Sequence, residues 1–297
     1  MARESYDVNG RTVLITGAAR GIGAASAERL HGLGANVALV GLEPEQLEEL
    51  SARLGDRAAF YEADVTDLAA LERAVADAVK RFGAVDVAIA NAGIHFIGAF
   101  ATAPIEQLER EIDVNLYGVL RTLRAVLPQV IERRGYVLNV ASLAAASHGP
   151  LMASYSASKA GVEGLTNSLR IELAPTGARA GCAYFGFIDT DLVRQGMDHP
   201  TSKSMEGLMP DFMRRSIPVA RAADAIADGV RKRKARVWAP RYVGPALLIR
   251  GIMQPLVERR AMRASELGEA IDLADPARGY LAEQDSKLGV AVPSSSD

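Results

Sequence analysis

The chain has 297 residues, 49% of them apolar and 24% charged, enough to bury a sizeable core in one large α/β domain or two small ones. Its 34 Lys and Arg nearly balance 36 Asp and Glu, and the net charge of −2 argues against a general nucleic-acid binder. One cysteine, Cys182, excludes a disulfide framework and a cysteine metal cluster and suits a reducing cytoplasm, while the four histidines (His31, His95, His148, His199) lack ligand spacing, so no metal is expected. No apolar leader precedes the first strand and no apolar run of about eighteen residues occurs, so neither a signal peptide nor a transmembrane helix is expected.

Thr12–Thr16 (TVLIT) is a continuously apolar, β-branched run, as expected of a strand buried on both faces. It leads into Gly17, Gly21 and Gly23, and residues 24–33 then have helical composition before Gly34. Strand, glycine loop and helix start together cradle a pyrophosphate. Glycines let the backbone approach, and the helix terminus offers unpaired N–H groups to the anion. The spacing is GxxxGxG and not the GxGxxG of the general dinucleotide fingerprint, so taken alone it also fits a tight turn.

Further strands are predicted at 37–40, 58–61, 85–90 and 136–141, with helices at 45–54, Leu68–Phe82 and 104–127. Asp64 and Val65 follow the third strand, Asn91, Ala92 and Gly93 follow the fourth, and Asn115 lies in the long helix. Such alternation predicts a single doubly wound parallel sheet with helices on both faces and ligands at the carboxyl ends of its strands. Gly17, Asp64, Asn91 and Ser142 all fall just past predicted strand ends.

Beyond the fifth strand, Ser142 is followed after thirteen positions by Tyr155 and after four more by Lys159. The tyrosine and lysine share one helix face, a turn apart. A free phenol titrates near about pH 10, and a neighbouring ammonium favours the phenolate, which is the reading of Lys159. The Ser142 hydroxyl can hydrogen-bond a substrate oxygen shared with Tyr155. YxxxK alone recurs by chance on solvated helix faces, and a lone Ser142 is an ordinary turn residue. The glycine loop upstream is what turns the three into a candidate site.

Together these motifs resemble the short-chain dehydrogenase/reductases across residues 10–190. Thr16-Gly17 through Gly23 matches that family's cofactor loop, Asn91-Ala92-Gly93 its NAG motif, Asn115 its helix asparagine, and Ser142, Tyr155 and Lys159 its catalytic set. The resemblance implies a Rossmann-type fold, an NAD(P) cofactor, and interconversion of an alcohol with a ketone or aldehyde by hydride transfer. It implies that Tyr155 exchanges a proton with the substrate oxygen and Ser142 orients that oxygen. Lys159 would lower the tyrosine pKa and bind the nicotinamide ribose, and Asn115 would hold a water linking Lys159 to solvent. Cofactor contacts are implied for Gly17, Arg20, Gly21, Ile22, Gly23, Asp64, Val65, Asn91, Ala92, Gly93, Tyr155, Lys159, Ile188 and Thr190.

Two departures from the family pattern stand out. Phe185-Gly186 replaces the usual Pro-Gly, so the loop beside the nicotinamide lacks proline's fixed φ. Gly41 and Leu42 occupy the positions where relatives selective for NAD or NADP carry Asp or Arg. Arg20 would attract a 2′-phosphate and Glu43 would repel it, and the balance leans slightly to NADP.

Residues 191–218 fall where the family places a substrate lid, and they carry Met197, Met205, Met209 and Met213. Flexible methionines suit an irregular lipophilic substrate, although they also fit ordinary packing of a surface loop. With His95, Phe96, Leu143, His148, Met152 and Phe185 as candidate pocket walls, the expected substrate is mostly hydrophobic with one reactive oxygen.

The family domain is expected over 1–244, followed by a helical extension over 245–297 with an acidic tail flexible at its tip. Residues 219–263 hold eleven Lys or Arg against three Asp or Glu, with an apolar stripe at 248, 249, 252, 253 and 256 broken by Gly251 and Pro255. Such a stripe packs on its own domain or a sister subunit more often than on a membrane surface. The resemblance further implies a homo-oligomer paired through helices at 104–127 and 153–173. The competing reading is a non-catalytic NAD(P)-binding regulatory or scaffold protein, against which the intact proton-handling set argues.

Overall fold

The computed structural model describes residues 5–198, 200–204, 214–264 and 266–275. Among these, seven strands form one parallel sheet in the order β3-β2-β1-β4-β5-β6-β7. They are β1 (Thr12–Thr16), β2 (Asn36–Gly41), β3 (Ala58–Glu62), β4 (Val87–Ala90), β5 (Tyr136–Val140), β6 (Arg179–Phe185) and β7 (Arg236–Ala239). β1 pairs with β2 on one side, Val13 opposite Val37, and with β4 on the other, Val13 opposite Val87. The winding reverses between β1 and β4, which opens a crevice at the carboxyl ends of those two strands.

The apolar strands need helices on both faces, because successive side chains point to opposite sides. Leu14, Ala38, Val40 and Val137 enter one core, while Val13, Ile15, Val37, Leu39 and Leu138 enter the other. The first core is covered by α3 (Leu68–Phe82), α5 (Gly118–Glu132) and α6 (Ala153–Glu172), the second by α1 (Gly21–His31), α2 (Pro44–Leu54) and α9 (Val219–Arg231). α3 shows how sequence sets such a helix. Asp67 Oδ1 accepts from the Ala70 N–H at 3.1 Å to start it, the core-facing side buries Leu71, Ala74, Val75 and Ala78, and Gly83 at φ +89° ends it.

Two elements differ from the sequence reading. The long helix expected over 104–127 is α4 (Ile105–Ile112), then a π turn (Asp113–Tyr117), then α5. α1 starts at Gly21, three residues ahead of the expected 24, because the glycines themselves form its first turn.

At the amino edge of the sheet, immediately before β4, Asp86 is 3% exposed. Its Oδ1 takes the Arg11 guanidinium at 3.0 Å and that of Arg133 at 3.1 Å, and its Oδ2 accepts the Thr12 N–H at 3.0 Å. One carboxylate thus joins the starts of β1 and β4 to the end of α5.

Past β6 the chain forms α7 (Asp191–Asp198) and α8 (Pro200–Ser204), and past β7 it forms α10 (Val243–Leu248), α11 (Arg250–Met262) and α12 (Glu266–Leu273). Met197 lies on α7 and is partly exposed. His199, Met205, Met209, Met213 and the acidic tail beyond 275 lie outside the described residues. The apolar stripe of the extension faces outward for the most part, with Leu248 81% and Ile252 70% exposed. What holds α11 to the domain is polar. Arg250 meets Glu163 at 2.7 Å, and the Gln254 amide both accepts from the His148 N–H (2.8 Å) and donates to the His148 carbonyl (3.3 Å). Among the described residues, no helix is long and apolar enough to cross a membrane.

Candidate active site

The glycine loop owes its shape to contacts that no side chain would permit. Gly17 has φ +62°, and a Cβ on it would stand 2.8 Å from Ala92 Cα; a Cβ on Gly23 would stand 2.1 Å from the Gly17 carbonyl oxygen. Asn91 fastens this loop to β4. Its Nδ2 donates to the carbonyls of Thr16 (3.0 Å) and Gly17 (3.1 Å), while the N–H groups of Asn91 and Ala92 donate to Thr16 Oγ1 at 3.0 and 3.2 Å. No side chain caps the start of α1, so the helix presents its first N–H groups to the crevice. A close-approach glycine cradle beneath an uncapped helix terminus fits the pyrophosphate of a dinucleotide.

Around that cradle, the remaining cofactor candidates take up distinct places. Across the crevice Thr190 Cγ2 lies 3.5 Å from where a Gly21 Cβ would be, so the loop after β6 closes over the glycine loop. Thr190 Oγ1 accepts the Val193 N–H at 3.3 Å, and Ile188 is 1% exposed. Asp64 Oδ1 accepts the Thr66 N–H at 2.8 Å, shaping the turn after β3, and Val65 is buried there against Gly118. Arg20 and Glu43, which argue for opposite cofactors, pair with each other at 3.5 Å, both partly exposed.

The structure brings Ser142, Tyr155, Lys159 and Asn115 together. Tyr155 and Lys159 stand on consecutive turns of α6, with Lys159 Nζ 5.7 Å from the Tyr155 ring centroid and donating to the Val140 carbonyl at 3.1 Å. Ser142 Oγ accepts the Ala144 N–H at 3.1 Å. Asn115 sits in the π turn, fully buried. Its Oδ1 accepts the Ile94 N–H (2.8 Å), and its Nδ2 donates to the Ile94 carbonyl (2.9 Å) and to Ser158 Oγ (3.3 Å). Its side-chain amide thus fastens the loop after β4, one residue beyond Gly93. π turns inside helices recur at functional sites because they re-aim one residue.

Burial dominates the electrostatics of both Tyr155 and Lys159. Burial pushes the Tyr155 phenol up to about 12; a Ser142 hydrogen bond opposes this and the charge of Glu111 adds to it. Burial likewise draws the Lys159 ammonium down to about 8, against the pull of Cys182 and Glu111.

Of the expected pocket walls, His95 lies against the tyrosine, ring centroids 4.4 Å apart and tilted 53°. Leu143 and Met152 are half-buried nearby in sequence to Ser142 and Tyr155. Two others are not brought to the site by their side chains. Phe185 is buried in the sheet core and meets Ser142 only through its carbonyl, 3.5 Å from the hydroxyl, and His148 is exposed and held by its backbone. Conversely, the sequence reading missed Glu111 and Ser154. Glu111 on α4 is wholly buried and accepts from the Phe96 N–H (2.8 Å) and from Ser154 Oγ, with His95 Nδ1 at 3.3 Å. The available signal was its spacing: it falls three residues after buried Leu108, on the core side of an amphipathic helix, where an apolar residue is expected.

Residues 11–200 match the family model for short chain dehydrogenases. The chain is 33% identical over 231 residues to oxidoreductase UcpA of Salmonella typhimurium, covering 75% of this chain and 86% of that one. It is 32% identical over 224 residues to nodulation protein G of Rhizobium sp., covering 75% and 91%. In fold it is similar to a short chain dehydrogenase/reductase from Burkholderia phymatum in complex with NAD, with a TM-score of 0.73, 22% identity, and 84% and 96% of the two chains covered. An intact cofactor cradle beside a Ser, Tyr and Lys set, on a sheet of this order and with this extent of match, places the chain in the short-chain dehydrogenase/reductase family, as an oxidoreductase acting on CH–OH groups with NAD(P).

Proposed function

We propose that the chain oxidises a lipophilic alcohol, or reduces the matching ketone or aldehyde, with Tyr155 as the acid–base group. The carrying observation is the convergence of Tyr155, Ser142, Lys159 and Gly93 at the mouth of the crevice formed by β1 and β4. Bound NAD(P) supplies or accepts the hydride. Gly17, Gly21 and Gly23 with the start of α1 hold its pyrophosphate, and Ile188 and Thr190 border its nicotinamide end. Ser142 and Tyr155 bind the reactive oxygen, and the phenol gives up or takes the proton. Lys159, drawn down to about 8, holds or releases its proton close to neutral pH and so sets the charge beside the phenol.

The lipophilic assignment rests on the half-buried Phe96, Leu143 and Met152, neighbours in sequence of His95, Ser142 and Tyr155, and on the exposed Met197 of α7. NADP is the favoured cofactor through Arg20, although its pairing with Glu43 leaves part of that charge already answered. A homo-oligomer is supported by apolar side chains left exposed on the two long helices, Leu120 and Ile131 on α5 and Ile171 (76% exposed) on α6. We place the protein in the cytoplasm on the strength of its single thiol.

One plate tests substrate and cofactor together: long-chain and polycyclic alcohols against polyols, each with NAD and NADP. Higher kcat/KM for the lipophilic series is expected, and higher values for polyols overturn that assignment.

A further inference from the structure

The buried cluster behind the tyrosine performs no role in the scheme above. Glu111 reaches from α4 into the space between the loop after β4 and the start of α6, with its side chain fully excluded from solvent. Its three partners there are the Phe96 N–H, the Ser154 hydroxyl and His95 Nδ1. None of them carries a permanent positive charge, yet three donors satisfy a carboxylate in its ionised form. His95, at 15% side-chain exposure, links this charge to the site, since its ring packs on that of Tyr155. A carboxylate that receives Nδ1–H fixes both the tautomer and the orientation of an imidazole.

We propose that Glu111 and His95 form a positioning pair for Tyr155: the carboxylate anchors the imidazole against the phenol ring, and its buried charge opposes removal of the phenol's proton. The inference rests on the reading of Tyr155 as the acid–base group. The titratable groups that face the phenol come from three places: Glu111 on α4, His95 on the loop after β4, and Lys159 on the phenol's own helix, itself influenced by Cys182 of β6. Asp113, two residues beyond Glu111, is turned to Arg121 at 2.7 Å and is compensated there. Tyr155 thus sits between a carboxylate that holds its proton on and an ammonium that favours its release.

The test is the pH profile of kcat/KM for alcohol oxidation, read together with cofactor affinity. Glu111→Gln keeps the shape and the Phe96 contact but removes the charge. It is expected to lower the pH of half-maximal kcat/KM by about one unit, the scale on which one nearby charge acts on a half-buried group. Glu111→Asp retains the charge and is expected to return the profile most of the way to native. A Glu111→Gln protein that binds cofactor normally and keeps the native half-maximal pH overturns the proposal. Should that variant not fold, His95→Phe decides. It keeps a ring against Tyr155, leaves the carboxylate with its Phe96 and Ser154 donors, and removes the donor that damps its charge. Its half-maximal pH is expected to rise, and an unchanged or lowered value overturns the proposal. Tyr155→Phe separates the two readings: if that variant turns over at the native rate, the acid–base assignment itself is wrong, whatever the Glu111 variants do.

Discussion

A buried carboxylate lies beyond each end of β4, and their surroundings differ. Asp86, just before the strand, is answered by two guanidiniums and a backbone N–H, so its charge is cancelled where it stands. Glu111, beyond the other end, is answered by neutral donors and one histidine, so its charge stays available to Tyr155, the residue after its partner Ser154. Burial of a charge is costly in both places. At the amino edge that cost is offset by cations that join three elements. At the carboxyl edge it is tolerated beside the tyrosine we propose as the acid–base group, where an uncancelled field would have a use. On that proposal, partner type, more than burial, separates a structural carboxylate from a functional one.

The contrast is broken most sharply at the carboxyl edge itself. Tyr155→Phe removes only the titratable oxygen and is expected to lower kcat by about a thousandfold, within the usual range for loss of a general acid or base, with cofactor affinity retained in a fluorescence titration. Gly23→Ala forces a Cβ onto the Gly17 carbonyl and is expected to weaken cofactor binding by about a hundredfold while leaving the far edge intact, as thermal unfolding of the apo protein would show. Asp86→Ala does the reverse. It leaves two guanidiniums and the Thr12 N–H without their acceptor and is expected to cost about 2–3 kcal/mol in urea unfolding, with kcat unchanged. A matching loss of kcat would erase the distinction drawn between the two edges.

The smallest effect concerns stability against pH. Burial holds Lys159 at about 8, below its ordinary 10.5, so between those values the unfolded chain binds more protons than the folded one. The contribution of this group to stability therefore rises as pH climbs from about 8 to about 10.5. Lys159→Met is expected to flatten that slope, measured as the urea midpoint at two pH values inside the window.

Most of the fold was legible because strands buried on both faces read as unbroken apolar runs, as in TVLIT, and because glycines mark where backbone meets backbone. Tyr155 and Lys159 were legible because one helical turn is a fixed spacing in sequence. The π turn at Asp113–Tyr117 was not, since a change from i+4 to i+5 bonding alters no residue preference in a continuous helical pattern. The pairing of Glu111 with His95 spans sixteen residues and two different elements, and no periodicity joins them. Desolvation of the phenol was not legible either, because sequence gives proximity but not burial.

The clasp between Gln254 and residue 148 has a consequence for how this protein can change. Both hydrogen bonds run to the backbone of His148, one to its N–H and one to its carbonyl, so the anchor reads the chain's path and ignores the side chain it carries. The loop following Ser142 is thereby free to vary in composition at 148 without losing its attachment to the C-terminal arm, provided the amide at 254 is kept and proline is avoided. That is a built-in site of tolerance in the fold, where the outward side chain can change while the arm stays attached.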